Sequence, residues 1–159
     1  MKLNAIQFLE YKIEMIGDRD ADSVLLAGCK SLEILKANYW LSGSTLLGIH
    51  RDGKQLSYSM SVEIGVRGDK CALLLIDFMQ GAGFKFAKSI DRNGIQMQMV
   101  FVHAKTGIIF DVLFFHKSMG YLYHMGEYGT VKKKIFELGS IDFQGRSYPI
   151  PGDVDAYLS

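Results

Sequence analysis

The stretch from Tyr39 to Val66 constrains the fold most, because it predicts two strands joined by a glycine turn and a short helix. Its sequence is YWLSGSTLLGIHRDGKQLSYSMSVEIGV. Residues 39–41 are typical of a short aromatic strand, and a helical turn follows Gly43 and ends near His50. Residues 62–66 indicate a second strand. A polar turn at the start of a helix exposes backbone N–H groups that can hold a phosphate. The stretch therefore predicts an anion-binding turn beside a strand.

Acidic and hydroxyl side chains follow this turn at a regular spacing. Ser59, Ser61 and Glu63 are two residues apart, so on a strand all three point to one face. Asp111 is the single acid in the apolar run 108–115. Burying an unpaired carboxylate costs several kcal/mol, by order of magnitude, so Asp111 needs a cation, a metal or good hydrogen bonds.

An acid on each of two neighbouring strands predicts a binding site for a divalent ion. If the strand of Asp111 lies beside residues 62–66, Asp111 and Glu63 converge on one side of the sheet. Two adjacent carboxylates repel each other unless they share a proton or a divalent ion. Magnesium prefers oxygen ligands and is commonly bound by one or two carboxylates plus substrate phosphates. The alternative is that Asp111 is a structural acid paired with Lys or Arg.

Composition predicts one soluble domain covering residues 1–159. Apolar residues make up 48% of the chain and charged residues 22%, which is ordinary for a globular protein. The net charge of +1 gives no electrostatic reason to expect nucleic acid as a partner. Charged residues interrupt the N-terminus and no apolar run is long enough for a transmembrane segment, so we expect a cytoplasmic location.

The remaining patterns predict an α+β fold with a mixed or antiparallel sheet flanked by helices. Helices are expected at 4–16 and 21–37, separated by the polar run GDRDADS, with Asp20 or Asp22 as N-cap and Asn38 at the C-terminal end. A further apolar helix at 70–80 is expected to be capped by Asp69 and covered on most sides. Strands are predicted at 84–89, 95–101, 108–115, 131–138 and 141–143, and a last helix begins near 153.

Several motifs of the chain occur in one order that is specific to a known family. The match runs without a gap through Gly43-Ser44-Thr45-Leu46-Leu47-Gly48, Arg51, Tyr58 and Ser59-Met60-Ser61-Val62-Glu63-Ile64-Gly65-Val66. Asp111 matches a later acid on an apolar strand, and FQGRSYPIPGDVDAYL matches the C-terminal end. The chain thus resembles the LicD/fukutin family of the nucleotidyltransferase superfamily typified by DNA polymerase beta, over roughly residues 20–158.

This resemblance implies a nucleotidyltransferase-like fold and a reaction. Family members transfer phosphocholine, or a sugar or polyol phosphate such as ribitol phosphate, from a CDP-linked donor to a glycan hydroxyl. By resemblance, Gly43, Ser44 and Thr45 would bind the donor phosphates and Arg51 would lie close to them. Positioning and two-metal charge neutralisation, by Mg²⁺ or Mn²⁺, would supply most of the rate.

The chain departs from the family pattern at its metal site. Ser59 and Ser61 stand where the family has the first two strand acids, so the predicted catalytic set is Glu63, Asp111, Ser61 and Ser59, with only Glu63 and Asp111 as metal ligands. The activity is therefore expected to be impaired or absent. A degenerate relative, an enzyme with rearranged ligands and a chain with deliberately replaced acids all remain open. The alternative function is a non-catalytic module that binds a nucleotide, a glycan or a protein partner.

The run Lys132-Lys133-Lys134 is the other charged feature of the sequence. Such a run is most often a solvated face. On a strand, however, Lys133 faces opposite Lys132 and Lys134, so one of the three could reach a cleft and a phosphate. The four histidines are too scattered for a recognised metal-binding spacing.

Overall fold

A computed structural model describes residues 5–56 and 60–159, with the side chains of residues 20–56 and 60–159. The elements are, in chain order, α1 (Ala5–Ile34), β1 (Tyr39–Leu41), α2 (Gly43–Asp52), β2 (Ser61–Arg67), α3 (Ala72–Gly81), β3 (Phe84–Arg92), β4 (Ile95–His103), β5 (Ile109–Ser118), β6 (Tyr121–Gly126), β7 (Gly129–Lys134), β8 (Leu138–Phe143), β9 (Arg146–Pro151) and α4 (Val154–Leu158).

Seven of the described strands form one mixed sheet. The order β1-β2-β5-β4-β3 is extended by β6, which pairs with β5, and by β7, which pairs with β6. The β2–β5 pair is parallel and the other pairs are antiparallel. Strands β8 and β9 form a separate hairpin. The predicted α+β fold with a mixed sheet flanked by helices is confirmed.

One face of the sheet is lined by buried apolar residues along β2 and β5 and is covered by α1 and α3. Val62, Ile64 and Val66 lie on this face of β2, beside an equally buried row from β5. Helix α1 approaches so closely at Gly28 that a Cβ there would lie 2.1 Å from the ring of Phe110. Because only glycine fits, this contact fixes how α1 lies on the sheet.

The opposite face carries polar groups together with an aromatic cluster. Trp40 lies against Gly65, where a Cβ would be 2.3 Å from the indole nitrogen. The same nitrogen donates a hydrogen bond of 3.0 Å to the hydroxyl of Tyr157 in α4. That hydroxyl also shares a 2.7 Å hydrogen bond with Ser42, which immediately precedes α2. The C-terminal helix is thus bonded to the start of the predicted anion-binding turn.

The N-terminal helix differs from the prediction. The run GDRDADS does not separate two helices, because α1 is continuous from Ala5 to Ile34. The run contains no proline, and a single glycine costs only about 1 kcal/mol inside a helix. Asp20 lies within the helix, and Asp22 accepts a hydrogen bond of 2.9 Å from Gln55 instead of capping. The helix ends before Asn38, with Lys36 in the left-handed conformation and the Ala37 N–H bonded to the Leu32 carbonyl.

Helix α3 is less covered than its apolar sequence predicts. Leu75 and Met79 are buried against the sheet, but Leu73 is 91% exposed and Leu74 55% exposed. A helix on the outside of one sheet face buries a single stripe, so the remaining apolar residues face outward. Asp69 does not cap α3, because Cys71 occupies the N-cap position and the Asp69 carboxylate accepts a hydrogen bond from the Gln96 N–H.

The hairpin of β6 and β7 also differs from the prediction. No strand was predicted over Tyr121–Gly126, yet these residues alternate between partly and fully buried positions in β6. The strand predicted at 131–138 instead ends at Lys134, and β8 begins at Leu138. Within the part of the chain that is described, no helix is both long and apolar enough to cross a membrane.

The Tyr157 hydroxyl gives a test of the contact between α4 and the sheet. Tyr157→Phe should lower the free energy of unfolding by about 1–3 kcal/mol, because the buried Trp40 N–H and Ser42 hydroxyl lose this partner. Urea denaturation measures the change. Tyr128→Phe removes a hydroxyl from a residue that is 94% exposed and is the matched control. Equal stability of the two variants would contradict this role of Tyr157.

Candidate active site

Register partners on β2, β5, β4 and β3 form a row across the face of the sheet opposite α1 and α3. Glu63 on β2 is the direct register partner of Asp111 on the parallel strand β5. Asp111 is also the partner of Val100 on β4, which in turn pairs with Lys88 on β3. Side chains of register partners share a face, so the two carboxylates lie side by side. The expected adjacency of the two strands is therefore found.

The carboxylate of Glu63 lies against the first turn of α2. Gly43 has a φ of +52°, and a Cβ built there would be only 1.6 Å from Glu63 Oε2. The Ser44 hydroxyl donates a hydrogen bond of 3.1 Å to Glu63 Oε1. Glycine is thus required both by the backbone conformation and by the carboxylate beside it. The turn predicted to hold a phosphate faces a negative charge of the protein itself.

Thr45, the third residue of the predicted phosphate-binding turn, has a structural contact. Its side chain is 2% exposed, and its Oγ1 accepts a hydrogen bond of 3.0 Å from the backbone N–H of Glu63. The backbone N–H of Ser42 donates to the Glu63 carbonyl at 3.1 Å. These two bonds fix the start of α2 relative to β2, and they position Glu63 from both sides.

Asp111 is held by a neutral amide rather than by a cation. Gln98 Nε2 donates a hydrogen bond of 2.9 Å to Asp111 Oδ1. Burial raises the pKa of Asp111 to about 6, the Gln98 bond opposes this rise, and the nearby charge of Glu63 adds to it. The carboxyl group is therefore mostly ionised at neutral pH and takes up a proton in mildly acidic solution.

Sequence reasoning missed the residues that surround Asp111. Gln98 is 2% exposed, and its Oε1 accepts a hydrogen bond of 3.1 Å from the backbone N–H of Glu127, at the tip of the β6–β7 hairpin. The Glu127 carboxylate forms a 2.6 Å ion pair with Lys88. The glutamines among the apolar residues of β4 were the available signal, because a polar residue on a buried strand needs a partner.

Of the other predicted site residues, Ser61 lies on the same strand as Glu63, whereas Arg51 lies far from the Gly43 turn. Arg51 lies in the last turn of α2, eight residues or about 12 Å along the helix from Gly43, and it bonds Asp52 at 3.1 Å. The helix was expected to end near His50 but continues to Asp52, so Arg51 lies at the opposite end of α2 from the Gly43 turn. Ser61 lies two residues before Glu63 on the same face of β2. Ser59 lies outside the described residues.

Glu63 and Asp111 are the carboxylates that the described part of the predicted site would offer to a divalent ion. Glu63 and Asp111 supply two adjacent carboxylates, and magnesium often takes one or two carboxylates with water and substrate phosphates completing its shell. Among the residues whose side chains are described, no group of three or more His, Cys, Asp or Glu could hold a metal. Any ion at this pair would therefore need further ligands, such as water or the substrate phosphates.

The fold is similar to that of a solved adenylyltransferase. The lincomycin-bound crystal structure of the lincosamide antibiotic adenylyltransferase LnuA superposes with a TM-score of 0.57 at 18% sequence identity, covering 84% of this chain and 81% of that one. At this identity the likeness concerns the fold alone.

The chain belongs to the LicD/FKTN/FKRP family, whose nucleotidyltransferase domain matches residues 36–153. It is similar to the ribitol-5-phosphate transferase FKTN of Homo sapiens, with 28% identity over 73% of this chain and 25% of that protein. The Mus musculus protein of the same name is 27% identical over 76% of this chain and 26% of its own length. The chain thus spans about a quarter of these relatives, and the family resemblance seen in the sequence is confirmed.

The burial of Asp111 predicts a pH-dependent stability. Since the pKa is raised in the folded state, the stabilising contribution is complete below about pH 4 and is lost as the pH rises to about 6. Relative to the wild type, the free energy of unfolding of Asp111→Asn should therefore rise by on the order of 3 kcal/mol between these pH values. Urea denaturation in the presence of EDTA measures this difference.

The control for this prediction is Asp142→Asn, which makes the same change on an exposed residue of β8. The two variants should differ in their pH dependence, although each removes one carboxylate. A constant stability difference between wild type and Asp111→Asn from pH 4 to pH 7 would contradict the assigned environment of Asp111.

Proposed function

We propose that this domain takes part in phosphate-group transfer onto glycans, with a CDP-linked donor bound at the Gly43 turn beside the Glu63–Asp111 pair. The observation that carries the proposal is the register of β2 and β5, which sets two carboxylates side by side next to this turn. Membership of the LicD/FKTN/FKRP family and the name of the FKTN relatives, ribitol-5-phosphate transferase, support this chemistry.

Glu63 makes phosphate binding at this turn dependent on a cation. Its carboxylate lies where a phosphate would meet the first turn of α2, and two anions at that distance repel. Mg²⁺ or Mn²⁺ held by Glu63 and Asp111 would neutralise donor phosphate charge. Ser44 and the backbone of Gly43 orient the donor, and Gln98 holds Asp111 in position for it. The chain's contribution is thus mainly positioning.

The proposed activity is impaired relative to a complete member of the family. The serine at position 61 supplies a neutral oxygen on the face where an acid would add a charge, and Ser59 is a further neutral replacement in the sequence. Loss of such charges from a site that stabilises phosphoryl transfer commonly lowers the rate by orders of magnitude. Slow transfer with a single weakly bound ion is the expected behaviour.

A non-catalytic binding module is the second candidate function. It is favoured because both carboxylates already accept a hydrogen bond from the protein, Glu63 from the Ser44 hydroxyl and Asp111 from the Gln98 amide. Such a protein would retain a nucleotide or glycan pocket without transferring a group. Nucleotide binding that is independent of metal, with no turnover of a CDP-linked donor, would favour this candidate over the enzyme.

The Glu63 charge gives the central test of the proposed function. We expect the wild type to bind CTP at least about tenfold more tightly with Mg²⁺ than with EDTA, which corresponds to about 1.4 kcal/mol. Glu63→Gln should bind CTP in EDTA and lose most of the response to Mg²⁺, because the repulsion and one ligand are both removed. Calorimetric titration measures both effects.

Glu137→Gln is the matched control, since it makes the same change on an exposed residue outside the site. It should retain the metal response of the wild type. Parallel assays with CDP-ribitol or CDP-choline report turnover. If neither CTP nor a CDP-linked donor binds under any condition, the transferase and the nucleotide-binding module are both wrong.

Restoring the two missing acids should strengthen the metal site. The double variant Ser59→Asp with Ser61→Asp adds two carboxylates at the sequence positions two and four residues before Glu63. The affinity for Mg²⁺ should therefore rise by at least about tenfold. Calorimetric titration with Mg²⁺ measures the gain. The double variant Ser118→Asp with Ser140→Asp adds the same charge at exposed positions. Equal affinities of the two double variants would contradict the assigned register.

A further inference from the structure

A pocket lies between the β6–β7 hairpin and α4. It has a volume of about 650 Å³, and its walls include Lys132, Lys133, Lys134, Tyr121, Phe136 and Tyr157. Strand β7 pairs only with β6 among the described strands, so its outer edge is free. Consecutive residues of a strand point to opposite faces of the sheet. Lys132, Lys133 and Lys134 can nevertheless line the same pocket because it lies at the free edge of β7. We refer to this cavity as the β7–α4 pocket.

The lysines of the β7–α4 pocket carry charge that no described carboxylate neutralises. Lys133 Nζ donates to the backbone carbonyl of Tyr157, and Lys132 Nζ lies 4.1 Å above the centre of the Tyr121 ring. Neither a carbonyl nor an aromatic ring cancels a full positive charge. The one acidic side chain in the wall, Asp153, keeps its negative charge while it accepts the Ala156 N–H at 3.1 Å as the cap of α4. Three lysines and one aspartate leave the described wall with an excess of positive side-chain charge.

We propose that the β7–α4 pocket is a binding site for a sugar phosphate. Lys132 and Lys134 would bind the phosphate, and the aromatic side chains of the wall would contact the sugar. The volume suits a small ligand of this kind, since ligand pockets commonly measure roughly 300–1,000 Å³. Lysines on a free strand edge oppose the addition of another strand, so an extended peptide is the less suitable occupant.

The β7–α4 pocket is distinct from the Glu63–Asp111 pair. Tyr157 lines the pocket, while its hydroxyl bonds Ser42 at 2.7 Å just before the Gly43 turn, so this residue stands between the two places. The pocket is rich in lysine and needs no metal to bind an anion, whereas phosphate binding beside the carboxylate pair is proposed to depend on one. Binding at the β7–α4 pocket therefore does not depend on the proposed transferase function.

The proposal is tested with glucose 6-phosphate as the probe and glucose and inorganic phosphate as comparisons. NMR titration of the wild type in EDTA should shift the backbone amides of residues 131–136, with glucose 6-phosphate binding more tightly than either comparison. The double variant Lys132→Gln with Lys134→Gln should weaken glucose 6-phosphate binding at least about tenfold. Lys133 is left intact because it bonds α4.

The double variant Lys70→Gln with Lys105→Gln removes the same charge from exposed positions elsewhere and should bind as the wild type does. Three results would overturn the proposal: no glucose 6-phosphate binding up to about 10 mM, an equal loss in both double variants, or inorganic phosphate binding as tightly as the sugar phosphate. CTP titrated with Mg²⁺ in the same samples reports on the Gly43 turn. Its outcome therefore separates a failure of this site from a failure of the transferase function.

Discussion

The parallel pairing of β2 with β5 is the constraint on which the site depends. It sets Glu63 opposite Asp111, and a slip of one residue would turn one of them to the apolar face. The buried neighbours Val62, Ile64 and Val112 resist such a slip, since each would have to exchange places with a polar side chain. The hydrophobic face of the sheet thus fixes the geometry of the charged one.

The side-by-side placement of Glu63 and Asp111 costs free energy, and hydrogen bonds from nearby polar groups reduce this cost. Two carboxylates on adjacent strands repel each other, and burial disfavours the ionised form of Asp111 further. The Ser44 hydroxyl and the Gln98 amide each donate a hydrogen bond to one of the acids. The same side chains that make the unbound protein tolerate its acids therefore also compete with a metal for them.

Much of this site could be predicted from sequence because its parts are local. The strand at Tyr39–Leu41, the turn at Gly43 and the lone acid in the apolar run around Asp111 are all visible in short windows. The contact of Gln98 with Glu127 was not predictable in this way, because the residues are far apart in sequence and meet through the β6–β7 hairpin. Thr45 shows a second limit, since a hydroxyl in a phosphate-binding motif can serve the backbone instead.

The two hydrogen bonds of Gln98 restrict which residues can occupy position 98. Its side chain donates to Asp111 through nitrogen and accepts from the Glu127 N–H through oxygen, so the two bonds fix the direction of the amide. Glutamate would bring a third negative charge beside the acids, and leucine would leave a donor and an acceptor unpaired. A single amide thereby ties the tip of the β6–β7 hairpin to the carboxylate pair, and variation at this position disturbs both together.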